Sequence, residues 1–200
     1  MGAFPGTYVL VPARFAQVGR SAAIRARCGV SRFTGRVVFS TDGWATCALG
    51  HKHWGRAGAA GLFLHRDGAG GPEVLLQHRA LWSHHGGTWG TPGGALHARE
   101  LPHVGALREV REELGLTADD VVLGPRSVDD HGGWAYTTVL ARPARPIEVR
   151  DLRLDGESDG AAWLPLAELH AVPLHPGLAA SLDRLRPLIA APKEAADTRE

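Results

Sequence analysis

This sequence is poor in lysine, in sulfur and, over its first fifth, in acid. Only Lys52 and Lys193 stand among 22 basic residues, so the remainder are arginine. The two cysteines, Cys28 and Cys47, are too few for the multi-bridge framework of a small secreted domain. No apolar run approaches the roughly 18 residues that a membrane helix needs. Net charge is nearly absent as well, at +1, which removes any global electrostatic case for a nucleic-acid polymer, a membrane surface or an acidic partner. Neither internal repeats nor heptads are visible. What is there is a 44% hydrophobic, 22% charged chain of 200 residues, the composition and length of one globular domain. A cytoplasmic location is expected. The abundance of Arg, Ala, Gly and Pro, all with GC-rich codons, points to a GC-rich bacterial gene, so the arginines are not by themselves evidence of phosphate recognition.

The acid-poor stretch is the beginning of the chain. Residues 1–41 carry six arginines, and the first acid is Asp42. Their apolar residues keep neither a period of two nor of 3.6, so residues 1–40 are expected to be an extension without a buried face. Residues 41–189 are expected to form the domain, and 190–200 a polar tail.

Within the domain, strand and helix signals alternate. Ala59–Leu64, Val74–Gln77, Val121–Val128, Ala135–Ala141 and Ala161–Leu164 predict strands. His84–Gly94 is dense in glycine and predicts a loop. Pro102–Leu114 predicts a helix, with Pro102 in the first turn, Leu107, Val110 and Leu114 on one face, and Gly115 at the C-cap. His175–Ile189 predicts a second helix. The order implies a mixed-sheet α/β sandwich, in the α+β class.

Chemistry concentrates in the first helix. Glu109, Glu112 and Glu113 stand at i, i+3 and i+4 and therefore share one helical face. They occupy the last turns, where the helix dipole disfavours each negative charge by roughly 0.3–1 kcal/mol. Their mutual repulsion adds to this cost. Two compensations are open: salt bridges to Arg108 and Arg111 on a solvated face, or a hard divalent cation bridging to substrate phosphates.

The surrounding residues extend the motif. Gly94, Glu100, Arg108, Glu109, Val110, Glu112, Glu113, Gly115 and Leu116 reproduce, over 23 residues, the complete Nudix box. From about Gly43 to Leu188 the chain resembles actinobacterial MutT-like hydrolases of that family. Shared features include His53–Leu64, Leu75–Gly94, Tyr136–Val139 and Leu174–Gly177. The resemblance implies a loop-helix-loop in which Glu112, Glu113 and the Gly93 backbone carbonyl hold Mg²⁺, with Mn²⁺ a substitute. It implies that Glu109 is either a further ligand or the base that prepares the attacking water. It implies that Arg108 pairs with Glu100 to brace the loop, with Gly94 and Gly115 as structural box positions. Glu157, six residues before Trp163, is the corresponding extra metal ligand, expected to approach the box only with metal and substrate bound. Arg79 is a candidate phosphate clamp, and Asp130 and Trp134 are candidate contacts to the nucleotide.

The implied activity is Mg²⁺-dependent hydrolysis of the pyrophosphate linkage in an oxidised or non-standard nucleoside triphosphate, by a monomer or homodimer. The alternatives are another nucleoside diphosphate derivative as substrate, an isoprenoid diphosphate isomerase, which would want a catalytic cysteine near the box, and a non-catalytic nucleotide sensor, which would lack box carboxylates. Two other clusters compete for attention. Cys47, His51 and His53 are of zinc-ligand type, but their spacing completes no four-ligand site unless Cys28 joins. His84 and His85 read as loop polarity, and His175 as a cap or packing residue.

Overall fold

A computed structural model describes residues 41–190. The expectations for residues 1–40 and for the tail beyond residue 190 lie outside the described residues. The chain runs β1 (Trp44–Thr46), β2 (Lys52–Trp54), β3 (Ala59–Gly68), β4 (Gly71–Arg79), β5 (Trp89–Gly90), β6 (Gly93–Ala95), α1 (Pro102–Leu114), β7 (Val121–Asp130), β8 (Ala135–Pro143), β9 (Ser158–Pro165) and α2 (Pro176–Ala190).

The hairpin β3–β4 organises the fold. Beyond its turn the two strands part company: β3 pairs antiparallel with β6 and parallel with β8, while β4 pairs antiparallel with β9 and β5. Strand β7 closes the β3 side against β8. Both faces of the central strands are buried, and their side chains alternate between two cores. Leu62, Leu64 and Leu75 join Val110 and Leu114 of α1. Phe63, Val74 and Leu76 join Leu178, Leu185 and Ile189 of α2. This period-two division puts one helix on each face, and the result is the expected α/β/α sandwich.

Helix α1 begins with Pro102 in its first turn and ends at Gly115, whose φ of 73° is the left-handed cap that glycine adopts without cost. Its register aims Val110 and Leu114 into the core and leaves the carboxylates beside β6. A short hairpin, β1–β2, lies off the main sheet and was not anticipated, because three-residue strands carry too little periodicity to read. Strand β9 begins at Ser158, three residues ahead of the predicted Ala161, so Glu157 sits immediately before a strand. Among the described residues no helix is long and apolar enough to cross a membrane.

Candidate active site

The site is built where α1 passes the β6 end of β3. Here two glycine backbones pair, Gly61 with Gly93. A Cβ on Gly93 would come within 2.5 Å of the Gly61 Cα, and one on Gly94 within 2.5 Å of the Glu109 carboxylate. Glycine at these positions lets the loop backbone lie directly against the acids of α1.

Arg108 is the brace. Its Nε and Nη2 donate to the two oxygens of Glu100, each at 3.0 Å, and Nη2 also donates to the Ala95 carbonyl at 2.9 Å. Its Nη1 donates to Glu109 at 2.7 Å and to Glu112 at 3.3 Å. Glu100 also accepts the His97 backbone N–H at 2.8 Å. The pairing of Arg108 with Glu100 fixes loop to helix at both ends of one planar group. These partners hold the Glu100 carboxyl below the usual range despite its partial burial.

The three acids on the α1 face are graded in burial. Glu112 is at the rim, its side chain 58% exposed; Glu109 is 14% exposed; Glu113 is buried. Glu113 accepts the Gly93 backbone N–H at 2.8 Å and a hydrogen bond from Gln77. Desolvation nonetheless pushes its carboxyl up to about 8, helped by repulsion from Glu109 and Asp155. Glu109 is also raised, by burial first and then by Glu112 and Glu100, against the pull of Arg108. Burial likewise pushes the Tyr136 phenol up to about 12.

This donor set fits a hard divalent cation. It is made of oxygen only, and its deepest member is an acid whose ionisation is opposed by burial and by its neighbours. Arg108 reaches Glu109 and Glu112, whereas Glu113 is bonded to a backbone amide and a carboxamide. A divalent cation would supply the positive charge that burial and repulsion call for.

The other expected residues are distributed around this face. Gly93 meets the carboxylate face through its N–H, the donor to Glu113. Glu157 is exposed; its backbone carbonyl accepts the Ala80 N–H at 2.8 Å and its own N–H donates to Asp155. Arg79 ends β4 beside a register shift, with Nε donating to the His84 carbonyl at 3.0 Å. Asp130 closes its own turn by accepting the Gly132 N–H, and it lines a cleft of about 430 Å³ together with Arg56, Leu96 and Thr137.

Trp134 lines the same cleft; it is 9% exposed, lies parallel to His53 at 3.9 Å, and donates its indole N–H to the Gly55 carbonyl. A buried indole N–H requires such a partner, and satisfying it fixes the ring inside the fold.

Several residues near the site escaped the sequence reading. Gln77, buried mid-strand, links Glu113 to Ser158, whose Oγ donates to the Gln77 side-chain Oε1 at 3.0 Å. A polar residue inside an apolar strand was the available signal. Asp155, two residues before Glu157, donates its backbone N–H to the Glu113 carbonyl at 3.2 Å, and its carboxyl is raised by burial and by Glu157 and Glu112. His84, His85 and His175 converge beside Arg79, their ligand atoms within 4.8 Å of one another. Burial, then the charges of His85 and Arg79, hold His175 down to about 4, so it is neutral at pH 7. Separation in sequence hid that convergence.

A mixed sheet between two helices carries a Gly-loop and a glutamate face braced by one arginine. The NUDIX domain family profile matches residues 55–185, and the chain belongs to that family, as a hydrolase acting on phosphoric anhydrides. It is 46% identical over 152 residues to the Mycobacterium tuberculosis protein "Putative 8-oxo-dGTP diphosphatase 3", covering 72% of this chain and 69% of that one. It is also 46% identical over 133 residues to a Bifidobacterium longum "Nucleoside triphosphate pyrophosphatase/Nudix hydrolase fusion protein", covering 64% of this chain and 27% of the other. The crystal structure of RenU, a Nudix hydrolase from M. smegmatis, superposes with a TM-score of 0.68 at 42% identity, covering 74% of this chain and 95% of that one. Nudix hydrolases generally use divalent metal ions.

Proposed function

We propose that the protein is a Mg²⁺-dependent diphosphatase of nucleoside polyphosphates whose substrate is an oxidised or non-standard nucleoside triphosphate in the cytoplasm. The observation that carries this reading is the graded carboxylate face, with Glu113 buried and raised to about 8 beside Glu109 and Glu112. The names of the mycobacterial relatives support the choice of substrate.

In this reading Glu112, Glu113 and the Gly93 carbonyl hold Mg²⁺, with Mn²⁺ able to replace it and Glu157 joining from its loop. Bound there, the cation neutralises phosphate oxygens and lowers the cost of attack by water. The protein's own contribution is positioning. Arg108 keeps the helix and loop at fixed separation and holds one oxygen of Glu109. The raised Glu109 carboxyl suits it to receive the proton of the attacking water; service as a further ligand is the other role open to it. Arg79 supplies positive charge toward the phosphates, and Asp130 offers an acceptor to the nucleotide. Water adds to one phosphorus, the anhydride oxygen leaves with the other phosphate, and a nucleoside triphosphate yields the nucleoside monophosphate and inorganic pyrophosphate.

The test is a panel of canonical and oxidised nucleoside triphosphates, nucleotide sugars and dinucleoside polyphosphates, incubated with Mg²⁺ and resolved by chromatography. Fastest turnover of an oxidised triphosphate is expected. Preference for a nucleotide sugar would transfer the reading to a nucleoside diphosphate derivative.

A further inference from the structure

Outside the carboxylate face, a second constellation joins chain segments far apart in sequence. Cys47 lies in the turn of the β1–β2 hairpin, with His51 just before β2 and His53 within it, while His131 follows β7. One ligand atom from each of the four lies within 4.8 Å of the others. By spacing, Cys47, His51 and His53 complete a four-ligand site only if Cys28 joins; Cys28 lies outside the described residues, among which the fold brings in His131. We propose that Cys47, His51, His53 and His131 bind a structural Zn²⁺ ion that fastens the β1–β2 hairpin to the β7–β8 turn.

Three observations support this site. First, the donors are one thiol and three imidazoles, the nitrogen and sulfur ligands that zinc selects and Mg²⁺ avoids. Four protein ligands close a tetrahedral shell, which assigns a structural rather than a hydrolytic role. Second, two of the imidazoles hold buried ring nitrogens, His53 Nε2 and His131 Nδ1, with no hydrogen-bond partner among the described residues. A buried polar atom left so costs about 1–3 kcal/mol, and coordination would remove that cost at both. Third, a carboxylate stands beside His131. Its Nε2 lies 3.4 Å from the Asp129 carboxylate, which is itself held by Arg184 at 2.9 Å. A carboxylate at Nε2 fixes the tautomer that leaves Nδ1 with its lone pair, the usual arrangement behind a metal-bound histidine.

The hairpin gives the ion a purpose. It has three residue pairs, stands apart from the seven-stranded sheet, and exposes Trp44 and Trp54. A two-stranded hairpin is marginal alone. Its direct ties to the β7–β8 turn include Ala48 N–H to the Gly132 carbonyl and the Trp134 indole to Gly55.

The experiment uses the full chain, purified without chelator, and measures bound zinc by elemental analysis and the absorption spectrum after replacement by Co²⁺. One zinc per chain is expected, and the Co²⁺ form should show thiolate-to-metal charge transfer with intense tetrahedral d–d bands. Cys47→Ala should lose both signals, Cys28→Ala should keep both, and His131→Ala should weaken Co²⁺ binding at least tenfold. Glu112→Gln with Glu113→Gln should keep both signals, which separates this site from the carboxylate face. Stripping zinc should lower the Tm by about 4 °C or more. If Cys47→Ala does not fold, the native Co²⁺ spectrum still decides. A native chain without zinc, an octahedral spectrum lacking the thiolate band, or a band that follows Cys28 overturns the proposal.

Discussion

Two groups of metal-ligand residues in this molecule, the α1 carboxylates and the Cys47–His131 cluster, differ in every respect that chemistry can set. On α1 the donors are carboxylate oxygens from one helical segment, braced by Arg108 and graded from the buried Glu113 to the exposed Glu112. Between the hairpin and the β7–β8 turn the donors are one sulfur and three imidazoles, drawn from places about eighty residues apart. The first is rich in negative charge and open to solvent at one rim, as suits a cation that must meet phosphates. The second closes on itself, as suits a staple. On the two proposals, donor hardness alone would keep a working and a structural cation apart in one small fold.

The sharpest way to break the comparison is to neutralise the carboxylate face. Glu112→Gln or Glu113→Gln should lower the rate of nucleotide hydrolysis in Mg²⁺ by orders of magnitude in steady-state assays. The metal-free Tm of each variant should stay level or rise, because Glu112→Gln removes a repulsive charge and Glu113→Gln removes the cost of burying or protonating a carboxylate.

The same acid governs a pH effect. With the folded Glu113 carboxyl raised to about 8, the protonated form favours the native state. This contribution is complete below the unfolded value near 4.5 and is lost as pH rises from there to about 8. Metal-free protein should therefore lose stability over that range with a slope of at most about 1.4 kcal/mol per pH unit from this group. Urea denaturation at several pH values measures it, and either Mg²⁺ or Glu113→Gln should flatten the slope.

Next in size is the brace. Arg108→Lys keeps the charge but loses the planar grip on Glu100 and the Ala95 carbonyl, so a loss of about 1.5–3 kcal/mol is expected from denaturant midpoints. A smaller effect should follow Glu157→Gln: a higher Mg²⁺ concentration for half-maximal rate, a modest fall in kcat and little change in stability. An unchanged Mg²⁺ titration would remove Glu157 from the ligand set and direct attention to Asp155, whose backbone bonds to Glu113. The smallest effect is expected from deleting residues 1–40, which should leave rate and Tm nearly as they are.

How far these regions could be read from the chain follows from how each is made. The box was legible because a single helix carries its acids, and 3.6-residue periodicity places Glu109, Glu112 and Glu113 together without tertiary knowledge. The central strands were legible because both their faces are apolar. The hairpin was not, since three-residue strands show no period. His131 was hidden because its partners lie across the fold, and the indole bond of Trp134 to the Gly55 carbonyl was hidden because it spans 79 residues.

The central claim is that the α1 carboxylates hold the cation through which a nucleoside triphosphate is hydrolysed. Its most direct test follows 8-oxo-dGTP by chromatography in Mg²⁺ with the native chain and with folded Glu113→Gln. The account predicts conversion by the native chain, dependent on Mg²⁺, and nearly none by the variant. Equal conversion by both, or conversion by the native chain in the presence of excess chelator, would contradict it.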